Sequence, residues 1–381
     1  MASFWKSWSA GALGLALTAL PLPAAPANAA EPVTIGSIEA LSGPASRYGL
    51  AIRAGLELAL DEVNAAGGVL GGRPLQLLFE DSAGQKEQAI NAARKLIGRD
   101  RVAAIIGPTL SNEMFAVGPL AVERQVPIIG TSNTANGITD IGPYVFRTSM
   151  PEADVIPVTL RTAQAKFGVK RVAVMYGNDD AFTKSGYDVF KGALEKLGIE
   201  TATTETFGAK DTDFSAQLTK IKSLNVDAVV VSALVEAASG ILLQARQVGI
   251  PESVFFIGGN GFNSDKLGEI AGAAADGTLV GSPWFAGKAD PANQTFVAAF
   301  KARTGSVPDQ FAAQAYDTLF ILAEAINRAG ATSGDALRQA LQATSHSGVL
   351  GPFAFDEHRS PGSTTGVVVL VNKGGKFEAL R

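Results

Sequence analysis

Short runs that are apolar on both faces recur along this chain, each followed by a stretch with helical periodicity. Val229-Val230-Val231 and Ala103-Ala104-Ile105-Ile106 carry no polar face, as strands must when helices cover both sides of a parallel sheet. Strand-rich runs fall at Val33 to Ile38, Pro74 to Asp81, Val102 to Ile106 and Pro127 to Gly130. Between them, Tyr48, Ile52, Leu56, Ala59, Leu60 and Val63 recur at spacings of three and four, one apolar helix face. Helices are also read over Gln85 to Arg99 and from about Ser111 to Arg124. A second series alternates helices (Ala153 to Phe167, Lys184 to Leu197, Phe214 to Leu224, Ala237 to Val248) with strands (Arg171 to Tyr176, Glu200 to Phe207, Asp227 to Val231, Val254 to Ile257). The pattern predicts an α/β fold with parallel sheets. The last hundred residues shift toward helix, with Ala315, Leu319, Leu322, Ala323 and Ile326 on one face. Asp335 to Ala343 and a closing β-rich piece, Gly366 to Val371, follow.

A length of 381 residues suggests about two domains. Pro-containing junctions at Met150-Pro151, Ser282-Pro283-Trp284 and Gly351-Pro352 suit crossovers between them, or ordinary loops. The first residues read as an address: Lys6, an apolar run from Ala10 to Leu20, Pro21 and Pro23, then Ala27-Asn28-Ala29. A charged start, a short apolar core and a small-x-small site predict a secretory signal cleaved after Ala29. The run is too short to span a bilayer core of about 30 Å. Without Lys6 the mature chain has 31 basic and 36 acidic side chains. No Lys/Arg cluster marks it for nucleic acid.

There are no Cys, which excludes disulfides, thiolate metal sites, a Cys nucleophile and a lipidated Cys anchor. His346 and His358 lie in polar, loop-like sequence and read as solvated. Few groups suited to proton transfer at neutral pH remain. There is no P-loop, no G-x-S-x-G elbow and no H-E-x-x-H. Asp179-Asp180 reads as a solvated pair rather than a cation site. These observations predict a chain without catalytic machinery, cofactor or metal.

Small polar residues cluster at the carboxyl ends of strands: Gly107-Pro108-Thr109-Leu110-Ser111 and Gly130-Thr131-Ser132-Asn133-Thr134. In open α/β sheets the ligand crevice lies at such ends. A helix beginning at Ser111 offers N–H groups and a positive dipole end to an anion. Ser111 either contacts that anion or only caps its own helix.

The ordered set Leu41-Ser42-Gly43-Pro44, Tyr48-Gly49, Asp61-Glu62-Val63-Asn64-Ala65-Ala66-Gly67-Gly68, Ile106-Gly107-Pro108, Phe146-Arg147-Thr148 and Gly351-Pro352-Phe353 resembles a known family. It is similar to the leucine/isoleucine/valine-binding proteins of ABC importers, the branched-chain amino-acid type of periplasmic solute-binding protein. The resemblance covers essentially the whole mature chain. It implies the type I periplasmic binding protein fold, two Rossmann-like parallel-sheet lobes joined by a three-strand hinge. The lobes would be residues 30–151 plus 283–354 and 152–282 plus 355–381. It further implies a monomer that delivers a small ligand to an inner-membrane permease and its ATPase. With no lipid anchor available, retention would fall to an outer membrane, which places the protein in a periplasm.

By resemblance, Ser111 falls where a serine binds the ligand carboxylate, and Thr134 where a threonine helps bind carboxylate and ammonium. Ser132 and Asn133 stand on the same loop, Ser132 where backbone groups bind. Tyr48 falls at an aromatic lining the side-chain pocket. The second lobe departs from the family: its ammonium-binding glutamate is replaced by Asn260, and two further pocket positions read Phe182 and Leu234. A desolvated ammonium without a counter-charge is costly. Either Glu236 or Asp180 supplies the charge for an amino acid or amide, or the ligand is an aromatic or short organic acid with no α-amino group. A ligand-sensing receptor or regulator could share the fold.

Overall fold

The computed structural model describes residues 30–362 and 366–381, so the export signal read over residues 1–29 lies outside the described residues. The chain begins with strand β1 (Val33–Glu39), helix α1 (Ser46–Ala65), β2 (Leu75–Asp81) and α2 (Lys86–Arg94). It continues with β3 (Ile105–Ile106), α3 (Ser111–Glu123), β4 (Ile128–Gly130) and β5 (Val145–Arg147). These five strands form one all-parallel sheet in the order β2-β1-β3-β4-β5. The second series comprises α4 (Glu152–Phe167), β6 (Arg171–Gly177), α5 (Ala181–Leu197), β7 (Glu200–Phe207), α6 (Ser215–Lys222) and β8 (Ala228–Ser232). Next come α7 (Val235–Gln247), β9 (Phe255–Gly258), α8 (Lys266–Ala271) and β10 (Leu279–Ser282).

The chain then returns to the first sheet. Helices α9 (Pro291–Thr304), α10 (Gln310–Ala329) and α11 (Gly334–Gln342) and the hairpin β11 (Ser345–Gly348) and β12 (Gly351–Ala354) lie on that side. It crosses once more to end in β13 (Val368–Lys373) and β14 (Lys376–Ala379). The second sheet runs β14-β13-β10-β9-β8-β6-β7. Three segments therefore connect two α/β lobes: Thr148–Pro151, the stretch after Ser282, and the stretch after Ala354.

The apolar periodicity reports the buried faces faithfully. Ile52, Leu56 and Ala59 of α1 are fully buried, as is every residue of β8. Helix α1 packs closely on α10, and a Cβ on Gly55 would come within 2.2 Å of the Ala312 carbonyl oxygen. Only glycine permits that approach.

Several expectations change. The second sheet is not wholly parallel, because β13 and β14 pair antiparallel to their neighbours. The helix expected over Gln85 to Arg99 gives way at Lys95 to a π-helical turn, Lys95–Arg99. The strand expected over Val102 to Ile106 is regular only at Ile105–Ile106, after Arg101 adopts a left-handed backbone. Pairing still extends further, since Ala103 N–H donates to the Thr34 carbonyl and Gly36 N–H to that of Ala104. Among the described residues no helix is long and apolar enough to cross a membrane.

His346 is not solvated. It sits on β11 with its side chain 8% exposed, its Nδ1 2.9 Å from Glu324 Oε1 and its Nε2 3.8 Å from Asp317 Oδ1. The hydroxyl-rich sequence around it forms a hairpin that lays the ring on α10, which periodicity in a four-residue strand could not announce. His358 is exposed, as expected.

Candidate functional site between the lobes

The loop after β3 turns into α3, and the helix is capped by an unexpected residue. Glu113, three positions in, accepts the Leu110 N–H at 3.0 Å, the reach-back half of a capping box. Ser111 is thereby released from capping. It is the first helical residue, 2% exposed, and its hydroxyl meets only the Ala135 N–H at 3.5 Å. The first-turn N–H groups of such a helix have no intrahelical acceptor, so a buried hydroxyl, N–H groups and a positive dipole end coincide here.

The loop after β4 lies alongside. Ser132 Oγ donates to the Thr109 carbonyl at 2.6 Å, and Asn133 Nδ2 donates to the Pro108 carbonyl at 3.0 Å. The Asn133 carbonyl accepts Ser149 Oγ at 3.1 Å and Arg147 Nη1 at 3.3 Å, so this residue ties the two ligand-side loops to the first crossing segment. Thr134 Oγ1 is buried without a partner among the described residues. Thr109 Oγ1 accepts the Ala40 N–H and donates to Glu39, whose carboxyl burial pushes well above its ordinary range.

The second lobe presents the N-terminal ends of α5 and α7 and the loop after β9. Asp180 is not a solvated residue: it is buried and caps α5, accepting the Thr183 N–H at 2.8 Å. It also accepts from Asn112 of the first lobe, while Ala181 N–H donates to Asn112 Oδ1 at 2.8 Å. Burial raises its carboxyl above the usual range, and the Thr183 bonds oppose the shift. Glu236, in the first turn of α7, lies 3.8 Å from Arg47 Nε across the interface. Asn260 accepts from Gln310 and donates its N–H to Glu152 Oε1 at 2.9 Å.

Tyr48 closes the interface. Its hydroxyl accepts the Val235 N–H at 2.7 Å and donates to the Gly261 carbonyl at 2.8 Å, while its ring packs edge-on to Phe311 at 4.8 Å.

Six of the sequence-predicted residues line one cavity between the lobes: Tyr48, Ser111, Ser132, Phe182, Leu234 and Asn260. Thr109, Leu110, Gly261 and Phe311 complete it. Asn133, Thr134 and Glu236 do not line it. Phe311 was missed because an aromatic on a helix face reads as core. The cavity is about 20 Å³, room for about one water, so anything larger needs the lobes to part. Among the described residues no group of three or more His, Asp or Glu side chains could hold a metal ion.

The family profile described as periplasmic binding protein matches residues 32–376. The Leu/Ile/Val-binding protein of Rhizobium johnstonii is 31% identical over 314 residues, 81% of this chain and 83% of that one. The branched-chain amino acid transporter substrate binding protein of Streptococcus pneumoniae, solved in complex with isoleucine, superposes with a TM-score of 0.85 at 29% identity, covering 92% of this chain and 98% of that one. A solute binding protein of an ABC transporter from Rhodopseudomonas palustris, solved with 3,4-dihydroxy benzoic acid, gives a TM-score of 0.83 at 25% identity over 91% and 95%. With two α/β lobes, three crossings and a polar cavity at the strand ends between them, the chain belongs to the periplasmic binding protein family.

Proposed function

We propose that this protein is the solute-binding component of an ABC importer, capturing a small carboxylate-bearing ligand, a branched-chain or other hydrophobic amino acid or its amide, between its lobes. The observation that carries this reading is Ser111, a buried hydroxyl at the start of α3 that shares its cavity with the apolar side chains of Phe182, Leu234 and Phe311. The helix N-terminus receives the carboxylate and the apolar wall receives the side chain. The lobes, divided as 30–151 plus 283–354 and 152–282 plus 355–381, part to admit the ligand and close over it by hinge motion. Closure is favoured only because the ligand contacts both lobes. The protein is exported through its N-terminal signal, works as a periplasmic monomer, and hands unchanged ligand to a membrane permease driven by an ATPase. Relatives named for leucine, isoleucine and valine binding support the amino-acid class.

A second reading, an aromatic or short organic acid, is favoured by Phe182 in the cavity and by the relative solved with 3,4-dihydroxy benzoic acid. Isothermal titration with a panel of amino acids, amides and aromatic acids distinguishes the two. The serine assignment is tested with Ser111→Ala, which leaves a carboxylate oxygen unpaired and weakens binding of the best ligand by about 1–3 kcal/mol. Undiminished affinity would sink it.

A further inference from the structure

The second lobe lacks the glutamate that the family resemblance calls for, yet a carboxylate stands beside the substituted position. Glu152 is the first residue of α4, directly after the first crossing segment, and is 1% exposed. Its backbone N–H donates to the Thr134 carbonyl at 3.2 Å. Its Oε1 accepts the Asn260 N–H at 2.9 Å, and its Oε2 is buried with no partner among the described residues. Glu152 does not itself line the cavity of this closed arrangement; it stands directly behind it, bonded to Thr134 of the first-lobe loop and to the cavity residue Asn260.

The packing around it is arranged for it. A Cβ on Gly186 would lie 2.7 Å from Glu152 Oε2, and a Cβ on Gly259 would lie 2.6 Å from Oε1. Gly186 is one helical turn beyond the cavity residue Phe182. Ser232 Oγ, beside Glu152 Oε2 under Gly186, and the hydroxyl of Thr134, whose carbonyl takes the Glu152 N–H, are likewise buried without partners among the described residues. An unpaired buried carboxylate is costly, and the charge that acts on this one is a second carboxylate, Asp180.

We propose that Glu152 supplies the counter-charge for a ligand ammonium, so that the site selects α-amino acids over the matching acids without an amino group. This rests on the reading of the protein as a carboxylate-binding solute receptor. Of the two acidic residues first expected in this role, Asp180 caps α5 and takes Asn112, while Glu236 stands 3.8 Å from Arg47 at the rim of the interface, away from the Asn260 position, with its Oε2 also unpartnered among the described residues. The charge then stands on another element, beside the substituted position, held there by the Asn260 backbone N–H.

The charged state follows from the surroundings. Burial pushes the Glu152 carboxyl up to about 8; the Asn260 N–H opposes the shift and the Asp180 carboxylate adds to it. Also beside it are the neutral Ser232 of β8, Phe190 of α5, and the glycines of α5 and the loop after β9. At pH 7 the ligand-free carboxyl is therefore mostly protonated, and an arriving ammonium displaces the proton.

The test is titration calorimetry at pH 7 with leucine, isoleucine and valine, each beside its deaminated carboxylic acid, in two buffers of different ionisation enthalpy. Wild type should bind at least one amino acid 100-fold or more tighter than its matched acid and release close to one proton. Glu152→Gln should lose at least 10-fold in affinity for the amino acid and release no proton. The proton count on wild type needs no variant, so a Glu152→Gln chain that fails to fold does not remove the test. Amino-acid binding without proton release, or with full affinity in Glu152→Gln, overturns the role of Glu152. Preference for the deaminated acids overturns it while leaving the carboxylate-receptor reading standing. Binding of neither set overturns both.

Discussion

The hydroxyl of Tyr48, on the first helix of one lobe, accepts the backbone N–H of Val235 at the start of α7 in the other, 2.7 Å away, and donates its own O–H to the Gly261 carbonyl. One side chain thus joins two backbone groups that belong to different elements of the second lobe. Around it, Asn112 joins the α5 cap, Asn136 N–H donates to Ser185 Oγ at 2.8 Å, and Arg47 faces Glu236. The closed arrangement is held by polar contacts that exist only when the lobes meet.

Removing the Tyr48 hydroxyl should therefore weaken closure without unfolding either lobe. Tyr48→Phe leaves a buried N–H and a buried carbonyl unpaired, a loss of about 1–3 kcal/mol, or 5- to 150-fold in ligand affinity. Calorimetric affinity and the small-angle scattering radius with and without ligand check this. Affinity within twofold of wild type would show that the hydroxyl does not stabilise the closed form.

Gly55 governs the packing of α1 on α10 in a different way. An added methyl would collide with the Ala312 carbonyl at 2.2 Å, and backbone cannot step aside cheaply. Gly55→Ala should cost about 1–3 kcal/mol through overpacking, a fall in Tm of roughly 2–4 °C for each kcal/mol. Gly192→Ala is the control, because a Cβ there meets nothing within 4 Å on the helix α5. That substitution should hold or raise Tm, since alanine suits a helix interior better. Equal effects of the two would contradict the close contact.

His346 should make stability depend on pH. Burial alone would lower its pKa, but the carboxylates of Asp317 and Glu324 outweigh it and raise the imidazole above its ordinary value. Asp317 also accepts the N–H groups of Val349 and Leu350 at 3.0 and 2.9 Å, in the turn between β11 and β12. Because the folded pKa is the higher one, the stabilisation is fully present below about pH 6.5 and is lost as pH rises through the folded value. Thermal melts from pH 5 to 9 should show wild type falling relative to His346→Asn across that window. Parallel curves would refute the assignment.

Much of the fold was legible because burial on a parallel sheet forces apolar runs and burial of a helix forces a period near 3.6. Helices α1, α4, α7 and α10 and strands β6 to β9 fall where those patterns lie, within a few residues. Strand β5, helix α9 and strand β14 were not read: β5 and β14 are short, and α9 follows a Pro-marked turn without a wide apolar stripe. At the site, strand-end hydroxyls at Ser111 and Ser132 were visible as composition at a topologically meaningful place. Glu152 and Phe311 were not, because a glutamate opening a helix and a phenylalanine on a buried face look ordinary in any sequence.

The sequence by itself determined the layering of strands and helices, the absence of thiol chemistry, and the hydroxyl-rich loops at the strand ends. Those properties are local or follow from periodicity, so they survive without coordinates. Tertiary structure alone decided which residues face one another across the cleft. Tyr48 reaches Val235 and Glu152 reaches Asn260 over separations of 187 and 108 residues, and Glu113 rather than Ser111 became the cap of α3. Such pairings depend on how two lobes close on each other, and no spacing along the chain encodes that distance.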